Sequence, residues 1–215
     1  MSILELITGS MSCGKTEELL RRIHNEQKAR KNVRIFKPVI DVCYSVSTAS
    51  SHNRSEFPAI SVGETRDIYK HLVPSVEVVG VAEVQFLDDK IIDFCLEQIA
   101  QGRKVIASGI NLDFRGEPFH FRNSQRHIGD LMVYAVTQTL RARCVYQVKK
   151  YRSRKMINCD AEADYTQRLI DGKPAPYDSP TIMVGSKKPD SYKVEYEARC
   201  ARHFERPKPL NVKKK

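Results

Sequence analysis

Long apolar runs are missing from this 215-residue chain. Hydrophobic residues make up 41% of it, yet no run approaches the roughly 20 residues needed to cross a bilayer. A membrane partner is therefore not expected. No secretory leader precedes the first strand-like run, Ile3-Leu4-Glu5-Leu6-Ile7, which points to the cytoplasm. In that compartment the six cysteines are thiols or metal ligands rather than disulfides. Internal repeats are absent. Acidic charge is also scarce: 26 Asp and Glu stand against 36 Lys and Arg, a net charge of +10. Such an excess suits polyanionic partners. Some of it lies in Lys149–Lys155 and in Lys213-Lys214-Lys215. No recognised RNA- or DNA-binding motif accompanies it, so nucleic acid is not an expected partner. Nucleotide substrates and a solvated surface account for the charge.

What is present is more specific. Gly9-Ser10-Met11-Ser12-Cys13-Gly14-Lys15-Thr16 fits G-x-x-x-x-G-K-[ST], the phosphate-binding P-loop. A strand-like run precedes it. The segment Thr16 to Ala29 follows as a helix with Leu19, Leu20 and Ile23 on one face. Loop amides and a helix N-terminus favour a bound anion. Lys15 then reaches the β- and γ-phosphates of ATP, and Thr16 offers its hydroxyl to Mg²⁺.

Apolar runs alternate with helical patterns over the first two-thirds of the chain. Val33–Phe36, Val76–Val81 and Lys104–Ser108 read as strands. Asp88–Gln101 reads as a helix, and a further helix is expected over Asp130–Leu140. Alternation of this kind implies an α/β fold with a parallel sheet. After Leu140 the composition turns to cysteines, basic residues and a Gly/Pro/Asp-rich stretch, Asp171–Pro180. The expected division is a P-loop core over 1–140, a smaller module over 141–205 and a basic tail over 206–215.

Several separated segments carry a resemblance. "GSMSCGKTEELLRRI", "RIFKPVID", "SHNR", "AEVQF", "ASGINLDFRGEPF", "TQRLIDGKPAPYD" and "YEARCARH" stand in the order found in type II thymidine kinases. The likeness runs from about Ile3 to His203. It implies a P-loop parallel-sheet core with a small zinc-binding lasso domain that closes over the nucleoside. It also implies phosphate transfer from ATP to the 5′-hydroxyl of thymidine, a homotetramer, and dTTP as feedback inhibitor.

Residue roles follow from the match. Glu83 corresponds to the catalytic base. A carboxylate beyond a buried strand end can accept the proton of an attacking hydroxyl, although a lone Glu there is more commonly a cap or an ion-pair partner. Asp41, Ala82, Val84 and Gln85 join residues 9–16 in the ATP- and phosphate-binding set. Phe114 corresponds to the ring lying against thymine. Thr181-Ile182-Met183-Val184-Gly185 corresponds to the lasso segment. Tyr196 corresponds to the tyrosine that closes over the nucleoside, with Tyr192 as a rival. Cys144, Cys159, Cys200 and His203 correspond to four zinc ligands, a set suited to structural Zn²⁺.

The chain departs from the family pattern at functional segments. Ala82 stands where an Asp helps to hold Mg²⁺. Cys43 replaces an Arg, and Asn111 an Asp, with Asp113 left to compensate. Fourteen residues, "VYQVKKYRSRKMIN", separate Cys144 from Cys159 where the family has Cys-x-x-Cys. A longer hairpin is then required to bring the two sulfurs together. Extra basic sequence also lies at Phe121–Arg126. A working kinase and an impaired relative that still binds nucleotide are both compatible with these changes.

Overall fold

The computed structural model describes residues 3–39, 58–153, 155–183 and 192–209. Its centre is a sheet built from β1 (Leu4–Gly9), β2 (Val33–Pro38), β3 (Ile60–Val62), β4 (Val78–Val81), β5 (Lys104–Gly109) and β6 (Val136–Leu140). The strand order is β3-β2-β4-β5-β1-β6, and every pairing is parallel. The helices are α1 (Lys15–Lys28), α2 (Thr65–Tyr69), α3 (Lys90–Ala100) and α4 (Ile128–Met132).

The strands are apolar at successive positions because both faces of the sheet are covered. On one face Ile7, Ile35, Val78 and Ile106 pack with Leu19 and Ile23 of α1. On the other, Leu4, Leu6, Phe36, Val79, Val81, Val105 and Ala107 join Ile68 of α2 and Ile91, Ile92, Phe94 and Cys95 of α3. Full burial of each large side chain contributes about 1.5–3 kcal/mol. Gly80 lets α1 sit this close, since a Cβ there would lie 2.9 Å from Ile23 Cδ1.

The helix expected over Asp130–Leu140 is corrected. Only α4, ending at Met132, is helical, and Val136–Leu140 is the edge strand β6. Val136, Thr137 and Thr139 are β-branched, and the segment pairs with Glu5–Gly9 of β1. Thr8 Oγ1 and Thr139 Oγ1 share a hydrogen bond of 3.1 Å. Val133, Tyr134 and Val136 are exposed.

Short strands follow: β7 (Ala142–Arg143), β8 (Gln147–Lys149), β9 (Met156–Asn158), β10 (Glu162–Ala163), β11 (Tyr165–Ile170), β12 (Lys173–Pro174) and β13 (Val194–Arg199). They form a β7–β10 pair, a β8–β9 hairpin and a three-stranded antiparallel sheet, β12-β11-β13. Among the described residues no helix is long and apolar enough to cross a membrane.

Candidate active site and metal centre

Parallel register brings the carboxyl ends of β1, β4 and β5 to one edge, with Thr8 beside Gly109 and Val81 beside Ala107. In open α/β sheets that edge is where ligands bind. The loop 9–16, the pair Ala82-Glu83 and the segment 110–115 all leave from it.

Gly9 has φ 141°, and a Cβ on it would stand 2.2 Å from the Leu140 carbonyl oxygen. Gly14, with φ 87°, caps α1. Lys15 is buried, and its Nζ donates to the Ser10 carbonyl at 2.7 Å. Thr16 is exposed in the first helical turn. Glycine conformations, loop amides and one lysine form a donor set that fits phosphate. The loop is braced from the second module. Ser10 Oγ donates to the Ala163 carbonyl at 3.0 Å, and the Met11 amide to Thr166 Oγ1 at 3.0 Å. Cys13 packs against the cluster of Ala142, Cys144, Ala163, Ala198 and Cys200. Burial raises the Cys13 thiol above its ordinary range, against the opposing pull of the Lys15 ammonium.

Glu83 adopts φ 49° and ψ 45°, a left-handed conformation that a non-glycine residue adopts at a cost. It caps a single 3₁₀ turn, Val84–Phe86. Its Oε2 accepts from Gln85 Nε2 at 2.7 Å. Gln85 is fully buried, and its Oε1 accepts from the Ile110 amide at 3.1 Å. Gln85 thus ties the end of β4 to the end of β5 and orients the Glu83 carboxylate. Val84 is buried in the core, and the Ala82 methyl packs on the α1 side of the sheet.

Phe114 is 3% exposed. The Arg168 guanidinium lies 3.9 Å from its ring centroid and that of Arg115 4.3 Å. Arg115 donates to the Tyr177 carbonyl (2.8 Å), the Ser179 carbonyl (2.6 Å), Thr181 Oγ1 (3.0 Å) and Asp113 Oδ2 (2.5 Å). Arg168, 1% exposed, donates to the Pro180 and Thr181 carbonyls. The two arginines hold residues 177–181 down over Phe114. Asp113 also accepts from the amides of Arg115 and Glu117. These bonds turn the Asp113 carboxylate towards Arg115 and the 115–117 turn.

The sequence reading named neither arginine. Both stand inside segments that carry the resemblance, Arg115 in "ASGINLDFRGEPF" and Arg168 in "TQRLIDGKPAPYD", and Arg168 is one of four successive buried residues of β11. A cation there demands carbonyl or carboxylate partners.

Thr181, Ile182 and Met183 are partly buried, and Ile182 packs on the main core. Thr181 and Ile182 share a cleft of about 440 Å³ with residues 119–125. Its described lining includes neither Glu83 nor Phe114. Tyr196 packs on the core, 5.4 Å from the Arg168 guanidinium, whereas Tyr192 is exposed. Asp41, Cys43, Val184 and Gly185 lie outside the described residues.

The hairpin between Cys144 and Cys159 does close. The Cys159 amide donates to the Tyr146 carbonyl at 2.8 Å and the Asp160 amide to the Cys144 carbonyl at 2.9 Å. Ligand atoms of Cys144, Cys159, Cys200 and His203 all lie within 4.8 Å of one another. His203 Nδ1 is 3.6 Å from Cys144 Sγ and 3.4 Å from Cys200 Sγ. Tetrahedral zinc, with bonds of about 2.0–2.3 Å, separates its ligands by about 3.3–3.8 Å. The cluster can therefore hold zinc. Burial opposes a thiolate at Cys200, but hydrogen bonds from the His203 and Arg202 amides and from the Cys144 and Cys159 thiols lower it below the usual thiol range. Burial raises Cys144. Tyr146 stacks on His203 with ring centroids 4.4 Å apart.

Compared with models of known protein families, the chain matches the one described as "Thymidine kinase" over residues 2–204.

Proposed function

Since the chain belongs to the thymidine kinase family, we propose that it transfers the γ-phosphate of ATP to the 5′-hydroxyl of thymidine. The observation that carries this reading is the meeting of loop 9–16 and Glu83 at one sheet edge. The Glu83 carboxylate, oriented by Gln85, takes the proton of the 5′-hydroxyl. The nucleoside oxygen then bonds to the γ-phosphorus as the bond to the β–γ bridging oxygen breaks, releasing ADP. Lys15 and the amides of residues 9–16 offset charge on the phosphates. Thr16 would hold Mg²⁺, which would supply further charge neutralisation on the phosphates. Phe114, Tyr196 and the segment 181–185 enclose the base. Asp41, Val84 and Gln85 belong to the phosphate side, Val84 through its backbone. Structural Zn²⁺ on the four-ligand cluster fixes the module that carries the enclosing residues. Inhibition by dTTP and a homotetramer belong to the same reading, as does a cytoplasmic location.

Thymidine phosphorylation with Mg-ATP is the test. Glu83→Gln is expected to lower kcat by about 10²–10⁴-fold while leaving ATP binding in place. Unchanged turnover in that variant removes the base assignment.

Ala82 favours a second reading, a nucleotide-binding relative with impaired turnover. Loss of an outer-shell metal partner typically costs about 10–100-fold. A wild-type enzyme that is slow and gains that factor in Ala82→Asp supports the impaired reading. A wild type that is already fast disposes of it.

A further inference from the structure

The insertion between Cys144 and Cys159 is not called on by the proposed phosphate transfer, and its chemistry differs from much of the surface. Residues 145–158 contain five Lys and Arg and no Asp or Glu. Several basic residues elsewhere are neutralised. Arg22 pairs with Glu5 and Glu18, Lys104 with Glu5 and Glu26, and Arg141 with Glu162 and Asp164. Among the described residues Lys149, Lys150, Arg152 and Lys155 form no ion pair, and all four are exposed.

The hairpin also sets like charges against each other. Its register pairs Lys149 with Met156, and the Lys150 amide donates to the Lys155 carbonyl at 2.9 Å. Lys150 and Lys155 therefore stand directly opposite, an arrangement that destabilises an isolated ribbon. At the tip Tyr151 is 83% exposed, with the Arg152 guanidinium 5.1 Å from its ring centroid. Met156 and Ile157 add exposed apolar surface on the returning strand.

We propose that this hairpin is a docking surface for single-stranded nucleic acid. Unpaired cations at the tip match a run of phosphates. An exposed aromatic ring offers a face to an unpaired base, which a duplex keeps stacked inside. The ribbon carries these cations and this ring outside the nucleotide site. The inference is independent of the kinase reading.

The test is fluorescence anisotropy of a labelled 20-nucleotide oligo(dA) with the full chain, from 50 to 200 mM salt. A second labelled strand annealed as a duplex and vesicles of anionic phospholipid serve as competing probes. The quadruple variant Lys149→Gln/Lys150→Gln/Arg152→Gln/Lys155→Gln is expected to bind at least tenfold more weakly. Its log–log salt slope should be smaller by about 2–3, near 0.7 per phosphate contact on a single strand. Tyr151→Ala should weaken binding about fivefold or more with the slope retained. Zinc content and the circular dichroism spectrum of each variant must match wild type. Equal binding by the quadruple variant, loss of binding on changing Lys213–Lys215 instead, preference for the duplex or the vesicles, or no binding at 50 mM salt each overturns the proposal.

Discussion

The parallel sheet and the Cys/His module are held together by different physics. In the sheet, Leu6, Ile7, Phe36, Val79, Val81 and Ile106 are wholly buried between α1 on one side and α2 and α3 on the other. Solvent exclusion alone stabilises such a layer. In the module, the cluster that contains two of the metal ligands consists of alanines and cysteines: Ala142, Cys144, Ala163, Ala198 and Cys200. Small side chains remove little apolar area from water. A zinc ion on these four ligands would do the work that a core does elsewhere. The comparison shows two routes to a fixed backbone in one chain, and the P-loop leans on both.

Metal removal breaks the comparison most sharply. Structural zinc contributes about 10–16 kcal/mol in small zinc domains. Chelation, or Cys200→Ser, should expose the amides of residues 142–203 to hydrogen exchange while β4, β5 and α3 stay protected. Uniform protection after metal loss would show that the module has a sufficient core of its own. A smaller effect is expected inside the sheet. Gly80→Ala places a methyl 2.9 Å from Ile23 Cδ1 and should cost about 1–3 kcal/mol in urea unfolding. The same change with Ile23→Val should recover part of that loss, and zinc stoichiometry should remain at one.

The smallest effect concerns charge at the outer face of α1. Hydrogen bonds from Arg21 lead the causes that lower the Glu18 carboxyl from 4.5 to about 2. Glu5 is lowered as well: burial opposes its charge, and Lys104 and Arg22 outweigh burial. Both carboxylates ionise more readily folded than unfolded. Their contribution is therefore complete above about pH 4.5 and is lost as the pH falls towards 2. Glu18→Gln should flatten the acid limb of stability by about 1 kcal/mol or less, since the leading partner, Arg21, is 61% exposed. A steeper limb in the variant would contradict this.

The strands β1, β2, β4 and β5, with helices α1 and α3, were legible because their apolar runs are local and doubly buried. Strand β6 was not. Its identity comes from pairing with β1, some 130 residues earlier, and the helical spacing of Asp130–Leu140 masked it. At the site, glycine, lysine and the strand-end carboxylate were readable from motif and position. The convergence of Cys144 and Cys159 was readable only as a requirement, which the β8–β9 pairing meets. The clamp formed by Arg115 and Arg168 was invisible. Its partners are backbone carbonyls of residues 177–181, and carbonyls leave no signature in a sequence.

Glu83 joins a demanding side chain to a demanding backbone. Its left-handed φ of 49° is one that glycine and asparagine adopt more readily, and holding a glutamate there costs about 1 kcal/mol. Selection for thermal resistance and selection for turnover therefore pull this position in opposite directions. A library ranked by heat tolerance should drift to Gly or Asn at position 83, and one ranked by phosphate transfer should return to Glu.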